Sequence, residues 1–141
     1  MNKYPAEKII SAFPENEMIP VFYHDDIETC KQVMLTCYNA GLKIFEFTNR
    51  GTNALSNFSM LQKFADAEMP GMLLGAGTIK TEEQAEAFIK AGAAFLVSPV
   101  VEPFVALYCS QMGIMYIPGC MTPTEIQHAV NNGAKLVKLF P

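Results

Sequence analysis

Six short apolar runs punctuate the chain: M-I-P-V-F-Y, K-I-F-E-F-T, M-L-L-G-A-G-T, A-F-L-V-S-P, I-M-Y-I-P-G and K-L-V-K-L-F-P. Each is shorter than a globular helix and reads as a strand with both faces covered. Between them, segments 25–40, 54–67, 81–91, 102–112 and 122–132 place apolar residues at helical spacing and read as amphipathic helices. Gly41, Gly71, Gly92, Gly113 and Gly133 each stand just before a strand, where a helix ends in a left-handed residue. Asp26, Thr81 and Thr122 are predicted helix N-caps. Thr122 carries the fullest signature, with Pro123 at the first helical position and Glu125 completing a capping box.

Strands that alternate strictly with helices predict parallel βα repeats. No linker or low-complexity segment interrupts them, so residues 1–141 read as a single domain. Two architectures use such repeats, the doubly wound sheet and the (β/α)₈ barrel. The first should carry a G-x-G-x-x-G turn after an early strand. G-A-G-T lacks the third glycine at that spacing and follows the third strand. The second gathers its chemistry at strand ends, where Glu46, Thr48, Arg50, Thr78, Ser98 and Lys138 fall. The prediction is a (β/α)₈ TIM barrel with about six βα units in this chain, which leaves the first and sixth strands as open edges.

Side chains on a strand alternate between faces. In I-F-E-F-T, Phe45 and Phe47 suit the helix-covered side, so Ile44, Glu46 and Thr48 face the barrel interior. In K-L-V-K-L-F-P, Lys138 is expected inside as well, buried among hydrocarbon. Interior layers of such a barrel are built by alternate strands, and the second and sixth are both even-numbered. Glu46 and Lys138 are therefore predicted to meet across the lumen.

Half of the 141 residues are hydrophobic and 17% are charged, the composition of a globular protein with a sizeable core. The net charge of −4 is modest and the ten basic residues are scattered, which argues against a nucleic-acid partner. No apolar run approaches the roughly twenty residues that span a bilayer, and the first thirteen residues have acidic Glu7 and too short an apolar stretch for a signal peptide. The expectation is a soluble cytoplasmic protein with no membrane partner. Cys30, Cys37, Cys109 and Cys120 form no C-x-x-C pair, and His24 and His128 lie far apart, so no metal site is expected and the cysteines read as reduced packing thiols. The nine methionines read as packing too. His24 falls in the loop after the first strand, and position is the sole argument for a catalytic role.

A lysine beside a carboxylate in a dry lumen has a definite chemistry. Desolvation disfavours an ammonium ion, a nearby carboxylate favours it, and the neutral amine is a nucleophile that attacks ketones. The resulting imine is an electron sink, so a carbon–carbon bond in a 2-keto acid can break without a bare carbanion. Glu46 is the available acid–base group. A structural ion pair between Lys138 and Glu46, or a Lys138 that snorkels into water, accounts for the same residues without catalysis. Arg50 offers a planar donor fork for a carboxylate or is a solvated loop charge. Thr78 either caps a helix or helps the G-A-G glycines hold an anion.

Taken together and in order, E-F-T-N-R, G-A-G-T, F-L-V-S-P, I-P-G-C-M-T-P-T-E and K-L-V-K-L-F-P resemble the 2-keto-3-deoxy-6-phosphogluconate / 4-hydroxy-2-oxoglutarate aldolases over nearly the whole chain. The resemblance implies a class I aldolase that releases pyruvate with glyceraldehyde 3-phosphate or glyoxylate and assembles as a homotrimer; no redox cofactor or metal is expected, because the imine is already the electron sink. It places the Schiff-base lysine on Lys138 and the acid–base glutamate on Glu46. Arg50 and Thr78 match the contacts to the pyruvate carboxylate, and Pro99 and Phe140 match pocket-lining positions. Two departures stand out. Gly51 occupies a position where the family usually has threonine or serine, and the two βα units that would supply the phosphate site are not in the chain. Rival readings are a related phosphate-binding barrel enzyme and an aldolase-derived pyruvate-binding or assembly protein without turnover.

Overall fold

Strand and helix alternate along the chain as the apolar runs predict. The computed structural model describes residues 4–12, 14 and 18–141; Met1, Asn2, Lys3 and Phe13 of the N-terminal segment weighed as a signal peptide lie outside the described residues. A short helix α1 (Ala6–Ala12) precedes β1 (Val21–Phe22), α2 (Ile27–Asn39), β2 (Ile44–Thr48), α3 (Ala54–Glu68) and β3 (Leu73–Gly77). Then come α4 (Glu82–Lys90), β4 (Phe95–Ser98), α5 (Pro103–Met112), β5 (Met115–Cys120), α6 (Pro123–Asn131) and β6 (Lys138–Leu139). The α1 helix has no counterpart in the sequence expectations. Its seven residues bury one, Ile9, too little to give a periodic signal.

The strands form one sheet in the order β1-β2-β3-β4-β5-β6, every neighbouring pair parallel. This is a half-barrel. Among the described residues β1 and β6 each pair with one neighbour, and a closed eight-stranded wall is not what the chain forms. The two edge strands are also the shortest, at two residues each.

Helix boundaries follow local chemistry. The side chains of Asp26, Thr81 and Thr122 each accept a hydrogen bond from the backbone three residues on, and the Glu125 carboxylate in turn accepts one from the Thr122 amide. At the other end of α5, Gly113 takes φ 65°, the left-handed conformation in which its amide reaches the last carbonyls of the helix.

Two apolar layers sandwich the sheet. Phe45, Phe47, Leu74, Leu96 and Tyr116 pack outward against Phe58, Phe88 and Cys109 of the helices. Ile44, Leu73, Phe95, Val97 and Ile117 pack together on the concave side with Ile9. The predicted alternation on β2 holds: Phe45 and Phe47 lie under helices, Ile44 in the lumen. One expectation needs correcting. Lys138 is not enclosed by hydrocarbon; its side chain is 33% exposed, because β6 is an edge strand with its neighbour Leu139 open to solvent.

Candidate active site

Glu46 leaves the middle of β2 on the concave face and is 5% exposed, a costly place for a carboxylate without a partner. Lys138 supplies one. Its Nζ lies 3.2 Å from Oε2 and 3.5 Å from Oε1, donating to both oxygens. The ring of Phe140 stands over the same amine with its centre 5.6 Å away, so an aromatic face covers one side of the cation. The remaining side opens upward.

It opens into a cavity of about 130 Å³ at the C-terminal ends of the strands. All six residues expected at the site line this one cavity: Glu46, Arg50, Thr78, Pro99, Lys138 and Phe140. Val21, Thr48, Val97 and Ser98 complete the lining. Thr48 and Ser98 are legible in the sequence as polar strand ends, whereas Val21 and Val97 look like any core valine. Below lies a second, apolar compartment of about 310 Å³ that shares Val21, Glu46, Val97 and Lys138 and is otherwise walled by Ile19, Ile117, Leu136 and Val137. The ion pair thus stands at the boundary between a polar mouth and an apolar floor.

The loops that shape the mouth are tied to the strands. Thr78 follows β3 and has φ 61°, the one described non-glycine residue in the left-handed region. Such a backbone is strained for a β-branched residue and gathers at functional sites. Thr78 does not cap a helix; Thr81 caps α4 instead. The next residue is fixed from both sides: the Ile79 amide donates to the Val97 carbonyl at 3.1 Å, and the buried Ser98 hydroxyl donates to the Ile79 carbonyl. Across the mouth, Asn49 donates its amide to the Gly77 carbonyl at 2.8 Å, and Arg50 follows.

Tyr23 is a neighbour of the candidate site that sequence reasoning missed, and it stands against Gly51. Gly51 has φ 71°, and a Cβ there would run into the Tyr23 hydroxyl. That hydroxyl donates to the Asp25 carboxylate. The hydrogen bond, with burial adding to it, holds the Tyr23 phenol above its ordinary range, so the group stays a neutral donor. The loop after β2 can approach this pair because residue 51 has no side chain, which accounts for glycine where the resemblance leads one to expect threonine or serine. His24 lies in the loop after β1, as expected, but its Nδ1 accepts from the Asp26 amide and it does not line the cavity.

The cysteines are free thiols, with Cys30, Cys109 and Cys120 buried. Among the described residues no three His, Cys, Asp or Glu side chains gather as metal ligands, and no helix is long and apolar enough to cross a membrane.

Comparison with known proteins bears on the family and the fold. The family model described as KDPG and KHG aldolase matches residues 9–141. The 2-dehydro-3-deoxy-phosphogluconate aldolase of Treponema pallidum is 34% identical over 133 residues, covering 94% of this chain and 61% of the relative. Among solved structures, KDPG aldolase from Legionella pneumophila, with pyruvate captured as a covalent carbinolamine intermediate, superposes with TM-score 0.80 at 26% identity over 93% of this chain and 62% of its own. The 2-keto-3-deoxy-6-phosphogluconate aldolase of Zymomonas mobilis shares the fold, with TM-score 0.85 at 24% identity over 96% and 62% of the two chains. The chain spans about three-fifths of the length of these relatives. With the family model covering all but its first residues, the chain belongs to the KDPG and KHG aldolase family.

Proposed function

We propose that the protein is a class I aldolase that cleaves 2-keto-3-deoxy-6-phosphogluconate to pyruvate and glyceraldehyde 3-phosphate, or 4-hydroxy-2-oxoglutarate to pyruvate and glyoxylate. The observation that carries this reading is the Lys138 amine beside the buried Glu46 carboxylate, in a cavity that also holds Arg50, Thr78, Pro99 and Phe140. The carbinolamine trapped in the Legionella pneumophila relative supports the same chemistry here.

Each group has a task. The Arg50 guanidinium and the Thr78 hydroxyl receive the substrate carboxylate, which brings C2 to Lys138. The Lys138 ammonium passes one proton to water, the neutral Nζ adds to C2, and a proton returned to the carbinolamine hydroxyl lets it leave as water, giving a protonated imine. Glu46 takes the proton of the C4 hydroxyl. The C3–C4 bond then breaks, its electron pair passes to C3 as the enamine, and the aldehyde leaves. A proton returned to C3, by Glu46 directly or through water, and hydrolysis of the imine release pyruvate and the free amine. Pro99 and Phe140 wall the pocket against bulk water. The imine supplies the electron sink, so the reaction as written needs no metal or redox cofactor.

In this reading residues 1–141 form one domain, the first six units of a (β/α)₈ barrel, within a cytoplasmic homotrimer. Sedimentation equilibrium checks the assembly. The chemistry is tested by reducing the protein with borohydride in the presence of pyruvate and mapping the adduct by mass spectrometry. A stable adduct on Lys138, absent from Lys138→Met, is expected. Pyruvate carried on another residue, or no adduct at all, would remove the basis for the aldolase reading.

A further inference from the structure

Two glycines on β3 face the lumen, Gly75 and Gly77, and each makes room for one side chain. A Cβ on Gly75 would enter the ring of Phe95, with all three nearest atoms belonging to that ring. A Cβ on Gly77 would stand 2.8 Å from the carboxyl carbon of Glu46 and 3.0 Å from its Cγ, and closer still to Oε1. Non-bonded carbons rest at about 3.5–4.0 Å, so the Glu46 carboxylate occupies the volume that a side chain at 77 would take. In register Glu46 pairs with Gly75, and Gly77 pairs with Thr48. The glutamate therefore leans two register pairs forward along the strands, toward the mouth of the cavity, and lies across the bare backbone of Gly77.

We propose that Gly77 is a positioning residue: by leaving its face of β3 empty it lets the Glu46 carboxylate lie where both oxygens reach Lys138. The sequence alone invites another reading, that the G-A-G glycines admit a ligand to the backbone, but the space over Gly77 is taken by this chain's own carboxylate. The nature of the neighbour decides what a methyl group would do. At Gly75 it meets an aromatic ring packed in the luminal core, which cannot yield. At Gly77 it meets the end of a flexible side chain, which can turn aside. Gly77→Ala is thus expected to keep the fold and move the carboxylate off the amine. Imine formation belongs to Lys138 and survives; proton transfer belongs to Glu46 and suffers.

The inference rests on the aldolase reading for its kinetic consequence and on the structure alone for the contact, and the test separates the two. In the kinetic arm, Gly77→Ala lowers kcat by about a hundredfold, the low end of what a positioned acid–base group supplies, with borohydride trapping of pyruvate at the wild-type level. Adding Gly77→Ala to Glu46→Gln then costs nothing further, because the two substitutions remove one function. Equal loss of turnover and trapping, or losses that multiply in the double variant, would overturn the proposal. The second arm needs no substrate: urea midpoints of the wild type, Gly77→Ala, Glu46→Ala and the double variant. Gly77→Ala should lower the midpoint when Glu46 is present and leave it unchanged when Glu46→Ala has cleared the space. If the single variant fails to fold and the double variant folds, the contact is upheld; the same penalty in both backgrounds rejects it. A wild type that carries no pyruvate adduct sinks the aldolase reading, and the urea cycle still decides whether Gly77 seats Glu46.

Discussion

Lys138 and Glu46 are in contact although β3, β4 and β5 lie between their strands. Neighbouring strands are about 4.8 Å apart, so in a flat sheet four steps would hold these two backbones about 19 Å from each other, further than a lysine and a glutamate together span. The 3.2 Å approach therefore measures the curl of the wall. It also couples the proposed catalysis to architecture, since anything that flattens the sheet parts the amine from its carboxylate.

Replacing the proposed acid–base group should separate the steps of the proposed reaction. Glu46→Gln keeps the shape and loses the proton acceptor, and it is expected to lower retro-aldol turnover by about a hundredfold or more while pyruvate trapping on Lys138 slows far less. Single-turnover kinetics with 4-hydroxy-2-oxoglutarate read both steps. An equal fall in the two would remove Glu46 from its assigned role.

Arg50 should act on binding. A lysine in its place keeps the charge and loses the planar two-point contact with a carboxylate. Arg50→Lys is expected to raise KM by about tenfold, in line with one lost charge-assisted hydrogen bond, at nearly constant kcat. A change confined to kcat would show that Arg50 is a solvated loop charge at the mouth.

Helix α6 begins with the fullest cap in the molecule, and the Glu125 carboxyl is held below its usual range by the amides of Met121 and Thr122 and by the Thr122 hydroxyl. Thr122→Ala should destabilise the fold by about 1 kcal/mol in urea titrations. Because the folded Glu125 carboxyl titrates lower than the unfolded one, its contribution is present above pH 4.5 and disappears as pH falls through the depressed value. Glu125→Gln should therefore flatten the acid side of the stability profile, and an unchanged acid limb would contradict the cap.

Cys109 points into the layer between α5 and the sheet, and burial pushes its thiol up to about 12 from the ordinary 9.0. An unfolded thiol loses its proton first, so the stability that Cys109 contributes is complete below pH 9 and drains away as pH rises toward 12. Urea midpoints at about pH 8 and about pH 10.5 should differ less in Cys109→Ala than in the wild type. Thiol reagents should modify half-buried Cys37 in the native protein and reach Cys109 on unfolding.

Most of the fold is legible in the sequence because the helices carry their own punctuation. Asp26, Thr81 and Thr122 start three of them by side-chain bonds to nearby amides, a purely local event. The strands are equally clear where both faces are covered, as in β2. Legibility fails where tertiary context decides. The apolar run that contains Lys138 looks as buried as any other, yet an edge strand leaves that lysine partly in water. The glycines of G-A-G-T announce a close approach without saying by what; the partners, Phe95 and Glu46, come from other strands and become evident only once the sheet is curled. Tyr23 behaves alike, for its contact with Gly51 joins two loops that no periodicity connects.

Strand β6 is stitched to the rest of the sheet along a single seam, the pairs Gly119–Lys138 and Cys120–Leu139, reinforced by the Phe140 amide on the Cys120 carbonyl. Parting that seam would swing the Lys138 amine out of the lumen with every other ladder intact, a sub-global opening that needs far less free energy than unfolding. The amine that the proposed chemistry depends on is hung on a two-residue edge strand, so the amides of Leu139 and Phe140 should exchange with solvent well before those of β3.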